Sequence, residues 1–106
     1  MKAILVNSKE QTVEVVDIEN NLKAYYKQLD CNMVEAVYLQ DSHVMYVDEE
    51  ALFSPKETGF KIEGMHSPVI GDGLIFKAKP DGNEGNCELS EIDLRIKTTW
   101  YKRGVQ

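Results

Sequence analysis

From Thr12 to Val15 polar and apolar positions alternate with a two-residue period, the period at which successive strand side chains point to opposite faces. Ala3 to Val6 and Thr12 to Ile18 are rich in β-branched or aliphatic residues, and the polar stretch Asn7 to Gln11 between them has the length of a hairpin loop. An antiparallel strand pair is predicted. Val13 and Val15 alternate with Thr12 and Glu14, whereas Val16 and Ile18 leave that phase, which predicts a bulge or a strand end near Val15 or Val16. The period then lengthens: Leu22, Tyr25, Tyr26 and Leu29 share one helical face, with Lys23 and Lys27 on the other. This predicts a main amphipathic helix over residues 20–30, with Asn20 as its cap and the acids before it suiting its positive end.

After the turn Asp30-Cys31-Asn32, Met33 to Leu39 and Val44 to Val47 read as strands joined by Gln40-Asp41-Ser42. From Asp48 to Pro68 the periodicity is lost. Three acids, the group Ala51-Leu52-Phe53, and then Pro55, Gly59, Gly64 and Pro68 predict irregular structure or a short helix. Gly71-Asp72-Gly73 leads into a strand from Leu74 to Ala78, and Pro80 to Asn86 is the densest turn cluster. Ser90 is placed to cap a short helical turn near residues 90–95 that bears Ile92 and Leu94. Ile96 to Tyr101 has the β-branched and aromatic content of a last strand. The expected fold class is α+β: a mostly antiparallel sheet of about five to six strands with the main helix packed on one face.

Length and composition narrow the picture. The 106 residues, 42% hydrophobic and 28% charged, suit a single compact domain over residues 1–106 and argue against disorder. A net charge of -6 disfavours bare nucleic acid and anionic membranes as partners. The opening MKAILV is too short for a secretory or membrane-spanning segment, so a cytoplasmic location is expected. Cys31 and Cys87 lack the close spacing of zinc or redox sites and read as free thiols in a reducing compartment. Charge is uneven. Residues 10–50 hold ten acids and two bases, whereas Arg95, Lys97, Lys102 and Arg103 stand together without an acid near the end.

Candidate chemistry is sparse. His43, His66 and the two cysteines are the only nitrogen or sulfur ligands, too dispersed for a structural zinc. Asp81 and Asn83 begin like a calcium loop, but Ile92 stands where a bidentate acid is needed. No metal or cofactor is expected. Asp48-Glu49-Glu50 places carboxylates at a strand end, where Asp48 and Glu50 share a face; the plainer reading is a charged strand terminus. Gly71-Asp72-Gly73 precedes a strand, the reverse of phosphate-cradling loops, and reads as a turn whose backbone N–H groups could meet an anion. Most tyrosines and Trp100 read as packing residues.

The run MKAILVNSKEQTVEVVDIENNLKAYYKQL, together with VEAVYL, the strand ending Val47-Asp48-Glu49-Glu50, and SPVIGDGLIF, resembles a family of small phage- and mobile-element-encoded proteins known only as a domain of unknown function. The departures are the His43-Val44-Met45-Tyr46 strand and the long Phe53 to Gly64 region. The resemblance implies a small, cytoplasmic, non-catalytic product of a phage or plasmid that acts by binding. The expectation is an accessory protein that antagonises or modulates a host defence or regulatory protein through an acidic surface: Glu14, Asp17, Glu35, Asp41, Asp48, Glu49 and Glu50. A first alternative is a small-molecule binder that sequesters a nucleotide-type signal with Gly71, Asp72, Gly73, Lys61, Lys77 and His66, the Pro55 to Ser67 loop supplying contacts. A second is a minor hydrolase using Asp48, Glu50 or His66. Trp100 and Tyr101 on a terminal strand would offer an apolar edge for a homodimer.

Overall fold

A computed structural model describes residues 1–104. In chain order the elements are β1 (Lys2–Asn7), β2 (Thr12–Asp17), α1 (Leu22–Leu29), β3 (Val34–Leu39), β4 (His43–Asp48), a 3₁₀ turn (Ala51–Phe53), β5 (Thr58–Ile62), β6 (Val69–Ile70), β7 (Gly73–Ala78), β8 (Glu84–Gly85), α2 (Glu91–Lys97) and β9 (Thr98–Lys102). They form an α+β fold of two antiparallel sheets. The larger has six strands in the order β2-β1-β7-β4-β3, with β8 paired to the end of β7; the smaller is β6-β5-β9.

Both faces of the larger sheet are covered, and this explains the broken alternation in β2. Val13 belongs to the core between the sheets, while Val16 packs at the border of the core on the α1 side. Of the two expected explanations, a bulge is absent, since β1 and β2 pair without interruption from Lys2 opposite Asp17 to Asn7 opposite Thr12, and the strand ends at Asp17. A two-sided sheet puts apolar residues at both phases of a strand, as it does in Leu74, Ile75 and Phe76 of β7, all fully buried. On one face Ala3, Leu5, Val44, Leu74 and Phe76 share a buried cluster with Tyr25 and Leu29 of α1. The Tyr25 ring lies 4.8 Å from that of Phe76 and 5.6 Å from that of Tyr46. On the other face Ile4, Val6, Met45, Val47 and Ile75 meet Phe60 and Ile62 of β5 and Leu94 of α2.

The cap of α1 is Asn21, not Asn20. Asn21 is extended, and its side chain accepts from the Ala24 N–H at 2.8 Å, while Asn20 turns inward to accept from the Tyr25 hydroxyl. Ser90 caps α2 as expected, accepting from the Asp93 N–H. That helix runs on to Lys97, so the last strand starts at Thr98 rather than Ile96, and it pairs with β5 in the smaller sheet.

The stretch read as irregular contains β5, the centre of the smaller sheet. Gly59 hid it: glycine reads as a breaker, but here it lets β6 approach, since a Cβ at Gly59 would lie 2.2 Å from the Val69 carbonyl oxygen. Gly73 serves the same purpose between the sheets, where a Cβ would lie 2.6 Å from Met45 Sδ and 2.7 Å from Phe60 Cζ. Among the described residues no helix is long and apolar enough to cross a membrane.

Candidate functional site

Where the smaller sheet stops short of β3, a cleft of about 500 Å³ opens between the two sheets. Val37 and Leu39 of β3 form one wall, because alternate residues of that strand face the smaller sheet. Ile62, Met65 and Val69 form the other, and Leu89 and Leu94 close the end. The charged and titratable groups Glu35, Glu63, His66 and Lys97 lie at the mouth, with the polar Gln40 and Ser67. Lys97 is not a free cation, because Asp93 one turn earlier holds its ammonium at 3.0 Å. Asp93 raises its pKa above the ordinary lysine value, and Glu63 and Asp41 act in the same direction. Three carboxylates therefore act on one paired lysine, and with Glu35 and Glu63 in the lining the mouth is acidic over an apolar floor.

The structure divides the acidic residues singled out from sequence. Glu35 lines the cleft, and Asp41, on the turn from β3 to β4, is close enough to act on Lys97. Glu49 and Glu50 are exposed at the other end of that hairpin. Glu14 and Asp17 are exposed on β2, at the opposite edge of the larger sheet. Asp48 is buried: its Oδ1 accepts from the Glu50 N–H at 2.9 Å, and its Oδ2 meets Lys56 Nζ at 2.7 Å. The same ammonium donates to the carbonyls of Leu29 at 3.0 Å and Asp30 at 2.7 Å, so it fastens the end of α1 to the end of β4. Asp48 is thereby part of a structural clasp, whereas Glu50 is exposed in the turn after β4.

Of the residues considered for a nucleotide, His66 alone lines the cleft. Asp72 accepts from the Ser8 N–H at 2.9 Å and from its hydroxyl at 3.3 Å, while the Gly71 N–H donates to the Thr58 carbonyl at 2.7 Å. Gly73 is inside β7, and Gly71 takes the left-handed backbone of a turn at φ 92°. Lys77 is bonded to Glu88 at 2.9 Å and holds that carboxyl below the usual range. Lys61 lies on β5 opposite Thr99, half-buried and outside the cleft lining. Trp100 packs at the border of the inter-sheet core, leaving Tyr101 exposed on β9.

Among the described residues, no group of three His, Cys, Asp or Glu side chains converges as metal ligands would. His43 is a buried structural residue: its Nε2 accepts from the Glu88 N–H at 2.9 Å, so the neutral ring carries its proton on Nδ1 and donates to the Asp41 carbonyl at 2.9 Å. Both cysteines are free thiols, and burial pushes each above the ordinary thiol pKa. The Pro55 to Ser67 loop, singled out from sequence for ligand contacts, lines the cleft from Ile62 to Ser67, but sequence reasoning did not single out Glu63 or the juxtaposition of that loop with β3. Val37 and Leu39 read from sequence simply as strand residues, and the structure leaves both half-buried at the cleft.

The fold defines a small α+β protein built on two antiparallel sheets. Its residues 1–101 match the family model described as Domain of unknown function (DUF3846), and the chain belongs to that family. No curated protein and no solved structure matches it.

Proposed function

We propose that this protein acts by occupancy rather than catalysis, binding another protein that places an apolar side chain flanked by Lys or Arg in the inter-sheet cleft. The composition of the cleft carries this reading: an apolar floor of Val37, Leu39, Ile62, Met65 and Val69 under a mouth of Glu35 and Glu63. The floor favours an apolar anchor. The mouth favours basic neighbours and opposes the phosphates of a nucleotide. The N-terminal resemblance to phage- and mobile-element-encoded proteins supports a partner among host defence or regulatory proteins with a basic surface, met in the cytoplasm.

The test is retention of host proteins by the tagged protein at low and high salt, with mass spectrometry of what is held. A partner held by the wild type should weaken as salt rises and be lost from the Glu35→Lys/Glu63→Lys variant, with its melting curve unchanged. Retention that ignores both salt and charge reversal would overturn the reading. A thermal-shift panel of cyclic nucleotides and ADP-ribose derivatives tests the nucleotide alternative. A true ligand at 100 times its Kd would add about 2.7 kcal/mol, and a flat response is expected.

A further inference from the structure

We infer that the outer edge of β3 is where the partner joins, as a strand added to the larger sheet. The inference rests on the protein-binding reading above and says how the partner is held. The larger sheet ends at β2 on one side and β3 on the other, and the two edges are finished differently. Beside β2 lies α2, whose Glu91 Oε2 accepts from the Val15 N–H at 3.0 Å and whose Arg95 Nη2 donates to the Val13 carbonyl at 2.9 Å. Side chains there take the place of a neighbouring strand.

Nothing comparable protects β3. Its pairing with β4 is unbroken from Val34 opposite Asp48 to Leu39 opposite His43, so no bulge turns the edge away. Among the described residues, no side chain or loop makes a hydrogen bond to the outward backbone of Val34–Leu39. The strand VEAVYL carries a single charge and no proline, and Tyr38 stands 79% exposed on it. This is the kind of edge that recruits another strand.

Two observations select the occupant. The cleft runs beneath this edge, with Glu35, Val37, Tyr38, Leu39 and Gln40 in its lining. A strand added about 4.8 Å outside β3 would direct every second side chain into the cleft toward Met65 and Val69, and the intervening ones out beside Tyr38. The second observation is charge. Glu35, Asp41 and Glu63 border this seam, and each copy of the chain carries a net charge of -6, so a second copy would repeat the same acids against themselves. The occupant that fits is an extended segment of another protein, apolar at alternate positions, with Lys or Arg between or beside them.

The probe is an N-acetylated octapeptide alternating valine and lysine, titrated into the ¹⁵N-labelled protein. Amide signals of Val34–Leu39 and Met65 should shift, and the outward amides of β3 should gain protection from hydrogen exchange. Binding should weaken about tenfold or more for a peptide alternating valine and glutamate, for the lysine peptide N-methylated at every amide, and for the Glu35→Lys protein. Equal binding of the N-methylated peptide, or no binding of the lysine peptide, would overturn strand addition. Protection of β3 that grows with protein concentration alone would overturn the choice of occupant in favour of a second copy. The two readings fail separately: a host partner lost on charge reversal of the mouth, with the octapeptide inert, removes strand addition and leaves cleft binding standing, whereas a host partner whose retention ignores salt and charge reversal removes cleft binding.

Discussion

Lys56 shows how much one side chain can organise. Its ammonium meets two carbonyls at the end of α1 and the buried Asp48 carboxylate, with the Lys56 side chain 19% exposed and that of Asp48 6%. Lys56→Met should destabilise the fold by about 3 kcal/mol in urea denaturation, because it strands a buried charge. Adding Asp48→Asn to that variant should recover part of the loss by removing the charge. His43 is the second such residue. His43→Phe leaves the Glu88 N–H and the Asp41 carbonyl without their partners, and should cost about 1–3 kcal/mol by the same measurement. The phenols give a pH signature. Burial pushes Tyr25 up to about 12 and Tyr46 further, the latter also through its bond to Glu84. A raised folded-state pKa favours the neutral form, so this contribution is intact below about pH 10 and is lost as pH rises toward about 12. Ultraviolet titration should show two late-ionising phenols, and Tyr25→Phe should remove one of them.

At the level of elements, local patterns were legible and partnerships were not. The first hairpin, the amphipathic helix, the β3–β4 hairpin and the Ser90 cap each depend on neighbours within a few residues, and the structure holds all four. The β3–β4 turn has positive φ at Asp41 and Ser42; aspartate tolerates that conformation, whereas serine adopts it less readily. β5 was obscured because the reason for Gly59 lies in another strand, ten residues on. The cleft was hidden for a similar reason: periodicity says that Val37 and Leu39 face inward, but not that the smaller sheet fails to cover them. Gly59→Ala should therefore separate β6 from β5 and destabilise by roughly 1–3 kcal/mol, seen as a lower denaturation midpoint. The edge cover is testable too. Glu91→Ala with Arg95→Ala should speed exchange of the Val15 amide while leaving the inner strands protected.

Across the whole molecule, the acidic balance of the first half proves to be spread rather than gathered. Glu14 and Asp17 sit at one edge of the larger sheet and Glu35 and Asp41 at the other, and Glu63, from the second half, joins the latter pair. Total charge thus governs solubility and steering, while the local cleft decides what is seated. The chain also passes from α2 into β9 with no loop between Lys97 and Thr98, and the Thr98 hydroxyl donates to the Leu94 carbonyl at 2.6 Å across that junction. The guard of the larger sheet and the rim strand of the smaller one are thus a single lever. Prying β9 off β5 would therefore pull on the helix whose Glu91 and Arg95 cover β2, against the anchor of the buried Leu94, so two margins some eighty residues apart in the chain are mechanically joined.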